Sequence, residues 1–331
     1  MKVVLPVVLC LFLVPVAAIV AHLFAAGMRR ASLGQRIRKY GPHLHESKSG
    51  TPTMGGAVIL LLWGLCLPVL HHFQLLSHEG LFIFLGGLLC GGIGLLDDLL
   101  SLQHKRSLGL SPPQKIILVT GLSTILFFLF PHAVRTPLYV PFSALILSPS
   151  AILTFLLVLS VFLATTNSMN LTDGLDGLAT GVTILVLLGY LFLFPEQEFQ
   201  NVILPLGGIL IGFLWVNAYP AHLFLGDVGS FALGGAIASL AIVSGTALIL
   251  PLLAGLLVLE SGSVILQVCY YRLAKKRIFK ISPLHHHFER AEGIDYSYLL
   301  PTVEWPEPKI VLRLWIVQAI FVGLGILAVC R

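Results

Sequence analysis

Five aspartates fall at telling places in an otherwise apolar chain. Asp97 and Asp98 end one hydrophobic stretch, Asp173 and Asp176 open another, and Asp227 opens a third. One carboxylate at a helix end is ordinary, because it sits in water or caps free N–H groups. An adjacent pair is not. Asp97 and Asp98 follow an apolar helix and meet its negative C-terminal end, where the macrodipole and their mutual repulsion both oppose ionisation. A nearby cation removes that penalty, whether a basic side chain or a divalent metal. Mg2+ takes hard oxygen ligands of this kind while keeping some of its waters. Acids on three separate helix ends are what a metal site assembled from several helices requires.

Other strings surround these acids. Asn167-Ser168-Met169-Asn170-Leu171-Thr172-Asp173-Gly174-Leu175-Asp176-Gly177-Leu178 joins two hydrophobic stretches through more polar side chains than one helix cap needs, with Asp173 and Asp176 at i,i+3. That surplus favours a ligand site. Phe224-Leu225-Gly226-Asp227-Val228-Gly229-Ser230 adds small residues that let a ligand approach the backbone. Lys48-Ser49-Gly50-Thr51-Pro52-Thr53-Met54-Gly55-Gly56 lacks the Walker spacing, yet its lysine and threonines can bind an anionic group as readily as they cap a helix. In Pro283-Leu284-His285-His286-His287-Phe288-Glu289, consecutive imidazoles point in different directions, so the three do not suit one zinc ion. They suit phosphate hydrogen bonding or proton movement near neutral pH. Upstream, Arg272, Lys275, Lys276, Arg277 and Lys280 read first as a topology signal. Glu260 stands inside an apolar stretch, where an ionisable group is costly and faces the protein interior. The sequence assigns it no role.

The elements that position these residues are membrane helices. Of 331 residues, 57% are hydrophobic and 11% charged, which excludes both a water-soluble globule and a disordered chain. Five cysteines lie in or at the end of apolar runs without a CxxC pair, so neither a disulfide framework nor a zinc ribbon is supported. The net charge of +5 resides in loops between spans, where topology accounts for it without nucleic acid. Ten spans are expected, near 3–25, 53–72, 80–99, 113–131, 148–168, 177–195, 201–219, 228–245, 247–270 and 309–329. The fold class is therefore all-α and polytopic, a single integral membrane domain over 1–331, with loops near 28–52, 98–114, 168–177, 219–228 and 271–308 on one side. The first span resembles a signal peptide, but its length and Arg29-Arg30 favour a retained helix. Seventeen of the twenty Lys and Arg residues fall in or beside alternate loops, which places those loops in the cytoplasm and both termini outside. All five aspartates then share the cytoplasmic face. A transporter would instead keep its charged site near the bilayer midplane, on broken helices or repeats.

Gly34-Gln35, Ile37-Arg38, Lys48-x-Gly50-Thr51-Pro52-Thr53-Met54-Gly55-Gly56, Asp97-Asp98, Asn170 to Leu178, Trp215-x-Asn217-x-x-Pro220-Ala221, Phe224 to Asp227 and His285 to Glu289 together resemble one family. It is the bacterial phospho-N-acetylmuramoyl-pentapeptide transferases. The similarity continues to Trp305-Pro306-Glu307-Pro308-Lys309 and the last span. The resemblance implies ten transmembrane helices with both termini periplasmic, a homodimer in the bacterial inner membrane, and a Mg2+-dependent site on the cytoplasmic side. It implies transfer of phospho-N-acetylmuramoyl-pentapeptide from its UDP carrier to undecaprenyl phosphate, giving lipid I and UMP. A related hexosamine-1-phosphate transferase would share the acids, but the histidine string disfavours it.

Roles follow from the same resemblance, position by position. Asp227 ligates Mg2+, with Asp97 and Asp98 as the other carboxylates of the centre. Asp97 acts as base on the lipid phosphate or as a covalent nucleophile, and Asp98 supports metal and phosphate. Asn217 and His285 work at the diphosphate. Lys48, Thr53, Asp173, Asp176 and Phe224 resemble the uridine pocket, with Phe224 stacked on uracil, and Asn170, His286 and His287 join the substrate-binding set. Two departures stand out. Ser101 and Pro113 occupy positions that are usually basic, leaving Lys105 or Lys115 to contact phosphate. The stretch from Arg290 to Glu304 looks inserted.

Overall fold

The computed structural model describes residues 4–31, 50–104, 109–290, 294 and 296–329. In chain order the helices are α1 (Val4–Arg30), α2 (Gly56–His72), α3 (His78–His104), α4 (Pro112–Leu129), α5 (Ala151–Thr172), α6 (Leu178–Leu193), α7 (Gln197–Asn217), α8 (Gly226–Val243), the single turn α9 (Leu250–Leu253), α10 (Gly255–Ala274), the single turn α11 (Leu284–His287) and α12 (Glu307–Val329). A two-stranded hairpin, β1 (Leu138–Tyr139) with β2 (Ile146–Leu147), lies between α4 and α5.

Every expected span has a helix. Among the described residues, eight are long and apolar enough to cross a membrane, while α2 and α6 are shorter, at 17 and 16 residues. At 1.5 Å per residue those two reach about 25 Å, less than a full hydrocarbon core. The ninth expected span, 247–270, is displaced. Pro251 lies in the first turn of the short α9, the helical run is interrupted at Ala254, and α10 begins at Gly255.

Helix starts follow local chemistry. Ser150 caps α5 by accepting the Leu153 N–H at 3.5 Å. Ser111 and Gln114 form a capping box on α4. Pro112 and Pro113 occupy that helix's first turn, where a missing N–H costs no hydrogen bond.

α8 is the centre of the bundle. Its residues from Val228 to Val243 are all buried, against α3 and α5 above all. A helix that is apolar on every side requires a full shell of neighbours. The outer helices do the reverse: Leu11, Phe12, Ile117, Phe128, Ile152 and Phe192 point outward. Such a surface is unstable in water and suited to lipid.

Candidate active site at one end of the bundle

The last turns of α3 and the first turn of α8 meet, and their contact builds the site. Asp98 Oδ2 accepts the Val228 N–H at 3.1 Å, so an acid from α3 caps the free amides at the start of α8. Gly226 enters that turn with φ of 75°, a left-handed conformation that favours glycine. A Cβ there would also lie 2.7 Å from Asp98 Oδ2 and 3.0 Å from Thr53 Oγ1. Asp97 Oδ1 accepts the Leu110 N–H at 2.6 Å, which folds the start of the α4 segment back over the end of α3.

Carboxylate oxygens of Asp97, Asp98 and Asp227 lie within 4.8 Å of one another. Lys115, from the first turn of α4, answers their charge. Its ammonium is hydrogen-bonded to Asp227 Oδ2 and lies 3.2 Å from Asp97 Oδ1. Asn170, near the end of α5, donates to Asp227 Oδ1 at 2.8 Å and to Ser230 Oγ at 3.1 Å. Both oxygens of Asp227 are therefore held. Were all three carboxylates ionised against one ammonium, two negative charges would remain, which is the charge of a divalent cation. The donors are hard oxygens of the type Mg2+ takes.

The remaining acids belong to the loop between α5 and α6. Asp173 is partly buried and accepts a hydrogen bond from the Gly226 backbone. Burial, followed by the carboxylates of Asp227, Asp98 and Asp176, holds its carboxyl well above the usual carboxylate range. Asp176 is buried and structural in its contacts. It accepts the Ala221 N–H at 2.9 Å, and its own N–H donates to Glu307 Oε1 at 2.8 Å, tying α12 to the loop after α7. Asn217 is buried as well, accepting from Thr180 Oγ1 at 2.8 Å and donating to the Leu223 carbonyl at 3.0 Å.

The segment bearing Thr53 and Phe224 is a pair of crossing loops. The Phe224 N–H donates to the Pro52 carbonyl, while the Gly55 and Gly56 N–H groups donate to Phe224 and Leu225, each at 2.8 Å. Thr53 and Phe224 are partly exposed and sit beside Gly226. Lys48 and Lys105 lie outside the described residues.

The three histidines take different partners, although the His285 and His286 ring centroids lie 4.1 Å apart. His285 is fully buried, with Nδ1 3.1 Å from Glu260 Oε2 on α10. His286 Nδ1 pairs with Glu289. His287 Nδ1 accepts the Lys280 N–H at 3.0 Å, and burial pushes its imidazole below the ordinary value. Part of the basic run is structural too. Lys280 is buried, bonded to the Glu289 carbonyl and to Glu304 at 3.0 Å, and Arg277 stacks on Tyr296 at 4.0 Å. The apparent insertion thus supplies partners. Tyr296 donates to the Lys280 carbonyl at 3.0 Å and Thr302 to the His287 carbonyl at 2.6 Å.

Sequence reasoning offers Lys115 only as a substitute phosphate contact and leaves Glu260 without a role. Ser230 is read only as one of the small residues after Asp227, and the Leu110 N–H goes unmarked, because neither residue type nor spacing distinguishes it before the chain folds.

Comparisons with known proteins identify the family. Residues 81–245 match the family model described as glycosyl transferase family 4, and residues 48–60 match signature 1 of phospho-N-acetylmuramoyl-pentapeptide-transferase. The phospho-N-acetylmuramoyl-pentapeptide-transferase of Clostridioides difficile (strain 630) is 35% identical over 327 residues, 95% of this chain and 94% of the relative. The proteins of the same name from Kineococcus radiotolerans and Dictyoglomus thermophilum are 39% and 40% identical, covering 92% and 89% of this chain and 92% and 88% of theirs. With similarity of that extent running through the strands of sequence that build the acid cluster, the chain belongs to the phospho-N-acetylmuramoyl-pentapeptide-transferase family.

Proposed function

We propose that this protein transfers phospho-N-acetylmuramoyl-pentapeptide from UDP to undecaprenyl phosphate, releasing UMP and forming lipid I, at the cytoplasmic face of the bacterial inner membrane. The observation that carries this reading is the convergence of Asp97, Asp98 and Asp227 with Lys115 at one end of a membrane bundle. Phosphoryl transfer asks a protein mainly for positioning and neutralisation of charge, and this cluster offers both. A site at the membrane surface lets a water-soluble nucleotide meet a lipid phosphate whose tail stays in hydrocarbon.

Asp97, Asp98 and Asp227 are the residues that would hold Mg2+. Bound there, the ion would neutralise diphosphate oxygens. Asp97 is placed to take the proton of the lipid phosphate. Lys115, held between two carboxylates, is a mobile positive charge that can turn to a phosphate once a cation relieves it of the acids. Asn170 keeps Asp227 in a fixed rotamer. Thr53 and Phe224, on the crossing loops that precede α2 and α8, serve the nucleotide in this assignment, and the protein works as a homodimer.

Purified protein with Mg2+ and undecaprenyl phosphate, given either UDP-N-acetylmuramoyl-pentapeptide or UDP-N-acetylglucosamine, should release UMP only with the first. Selective turnover of the second donor would overturn the substrate assignment. Loss of UMP release on chelation, restored by Mg2+, is the expected metal dependence.

A further inference from the structure

Glu260 is an acid in the apolar body of α10, fully buried, and it meets one residue of the site. Its Oε2 lies 3.1 Å from His285 Nδ1 and accepts the His285 backbone N–H at 3.3 Å. Two buried atoms of this pair, Glu260 Oε1 and His285 Nε2, have no hydrogen-bond partner among the described residues. Burying a charge without full pairing is expensive. If the only need were to anchor the His285 backbone and ring, a glutamine carbonyl would accept the same two hydrogen bonds at far lower desolvation cost. Retention of a carboxylate therefore points to what it does to the imidazole.

A carboxylate accepts only, so the hydrogen bond requires the proton on Nδ1. Nε2 is then the free ring nitrogen, and it faces the aspartate loop. A Cβ at Gly174 would lie 2.1 Å from it, so only glycine between Asp173 and Asp176 leaves the ring its place. The neighbouring imidazoles are engaged elsewhere, His286 with Glu289 and His287 with the Lys280 N–H. Only His285 has this carboxylate behind it.

We propose that Glu260 is a positioning residue for His285, holding the proton on Nδ1 and the ring turned so that Nε2 is presented to the loop that carries Asp173 and Asp176. The proposal rests on the phosphoryl-transfer reading for its purpose. Nε2 takes up a proton from water, the carboxylate stabilises the imidazolium, and that proton passes to the departing UMP oxygen as its bond to the transferred phosphorus breaks, while Asp97 takes the proton of the lipid phosphate. Glu260 itself touches no substrate.

The test has two arms on the full-length protein in lipid nanodiscs. In the first, nitrogen-15 NMR of histidine-labelled protein, with the His285 signal assigned by difference against His285→Gln, should show Nδ1 protonated, and Glu260→Leu, which removes the acceptor that a glutamine would keep, should remove that preference. A His285 protonated on Nε2 alone, or a tautomer unchanged in Glu260→Leu, overturns the proposal. This arm does not depend on turnover, so it stands even if the protein releases no UMP, a result that would instead defeat the functional assignment. In the second, Glu260→Gln should lower kcat for UMP release about ten- to hundredfold, with KM for the UDP donor changed less than about threefold. Added to His285→Gln, it should cost nothing further. An equal additional loss in that background means a structural role and refutes the assignment. If either variant does not fold, Glu260→Ala, which also removes the carboxylate, replaces it under the same criteria.

Discussion

At the scale of single residues, charge neutralisation dominates the site. Replacing Asp227 or Asp97 with Asn keeps shape and removes an oxygen donor and a charge, so each change should lower turnover by about two orders of magnitude or more while the melting temperature in detergent holds. Near-normal rates in either variant would remove that residue from the core of the mechanism. Lys115→Met tests the converse. Its ammonium bridges Asp97 and Asp227, so its loss leaves two carboxylates uncompensated at a partly buried site, a cost below the about 3–5 kcal/mol of a fully buried pair. The variant should melt lower than the native protein without Mg2+ and gain more from added Mg2+. An equal Mg2+ gain in both proteins would show that lysine and metal do not share the acids. Asp97 and Asp98 are legible in sequence because the C-terminal dipole of an apolar helix and their mutual repulsion oppose them, and Asp173, Asp176 and Asp227 because their loops carry more acids than capping needs on one expected face. Glu260 is legible only as an anomaly, since 25 residues separate it from His285 and nothing local links them.

At the scale of elements, the site depends on how closely α3 and α8 approach. Gly94 is the contact: a Cβ there would lie 2.1 Å from the Asp227 carbonyl oxygen, while one at Gly92 would meet nothing within 4 Å. Close helix approach over small residues is the membrane-protein form of packing. Gly94→Ala should cost about 1–3 kcal/mol and depress turnover by shifting Asp227 away from Asp97 and Asp98. Gly92→Ala on the same helix should be neutral or gain up to about 1 kcal/mol from helix propensity. Equal thermal shifts for the two would refute the close-contact account. The segment around α11 carries a pH dependence. His287 is held below its ordinary value, so the closed segment resists protonation while the opened one accepts it. Its contribution is complete above about pH 6.5 and is lost as pH falls toward the depressed value. Amide exchange over residues 276–290, corrected for intrinsic rate, should therefore be faster near pH 5.5 than near pH 7.5, and His287→Gln should abolish the difference. The existence of the long helices is plain from hydropathy. The break at Ala254 and the hairpin at Leu138–Leu147 are not, because both are set by tertiary contacts, such as the Tyr139 N–H on the Gly245 carbonyl.

At the scale of the whole molecule, one geometric fact unites the charge pattern with the chemistry. The C-terminal ends of α3, α5, α7 and α10 and the N-terminal ends of α2, α4, α6, α8 and α12 supply the residues around the acids. The hairpin belongs to the other end, where the Phe142 N–H donates to the Ala328 carbonyl at 3.1 Å. Alternating helix directions place every site loop on one face, and most Lys and Arg residues belong to those same loops. By the preference of positive charge for the cytoplasmic side, that face is expected to be the cytoplasmic one. This has a direct check in cells carrying a variant stripped of its native cysteines. A cysteine at Ala144, exposed in the hairpin, should react with a membrane-impermeant maleimide in intact spheroplasts. A cysteine at His222, exposed in the loop after α7, should react only once the membrane is opened. The reverse pattern would invert the orientation and put the acids out of reach of a cytoplasmic nucleotide. Labelling of both from one side would break the link between bundle geometry and membrane sidedness on which the assignment of substrate access depends.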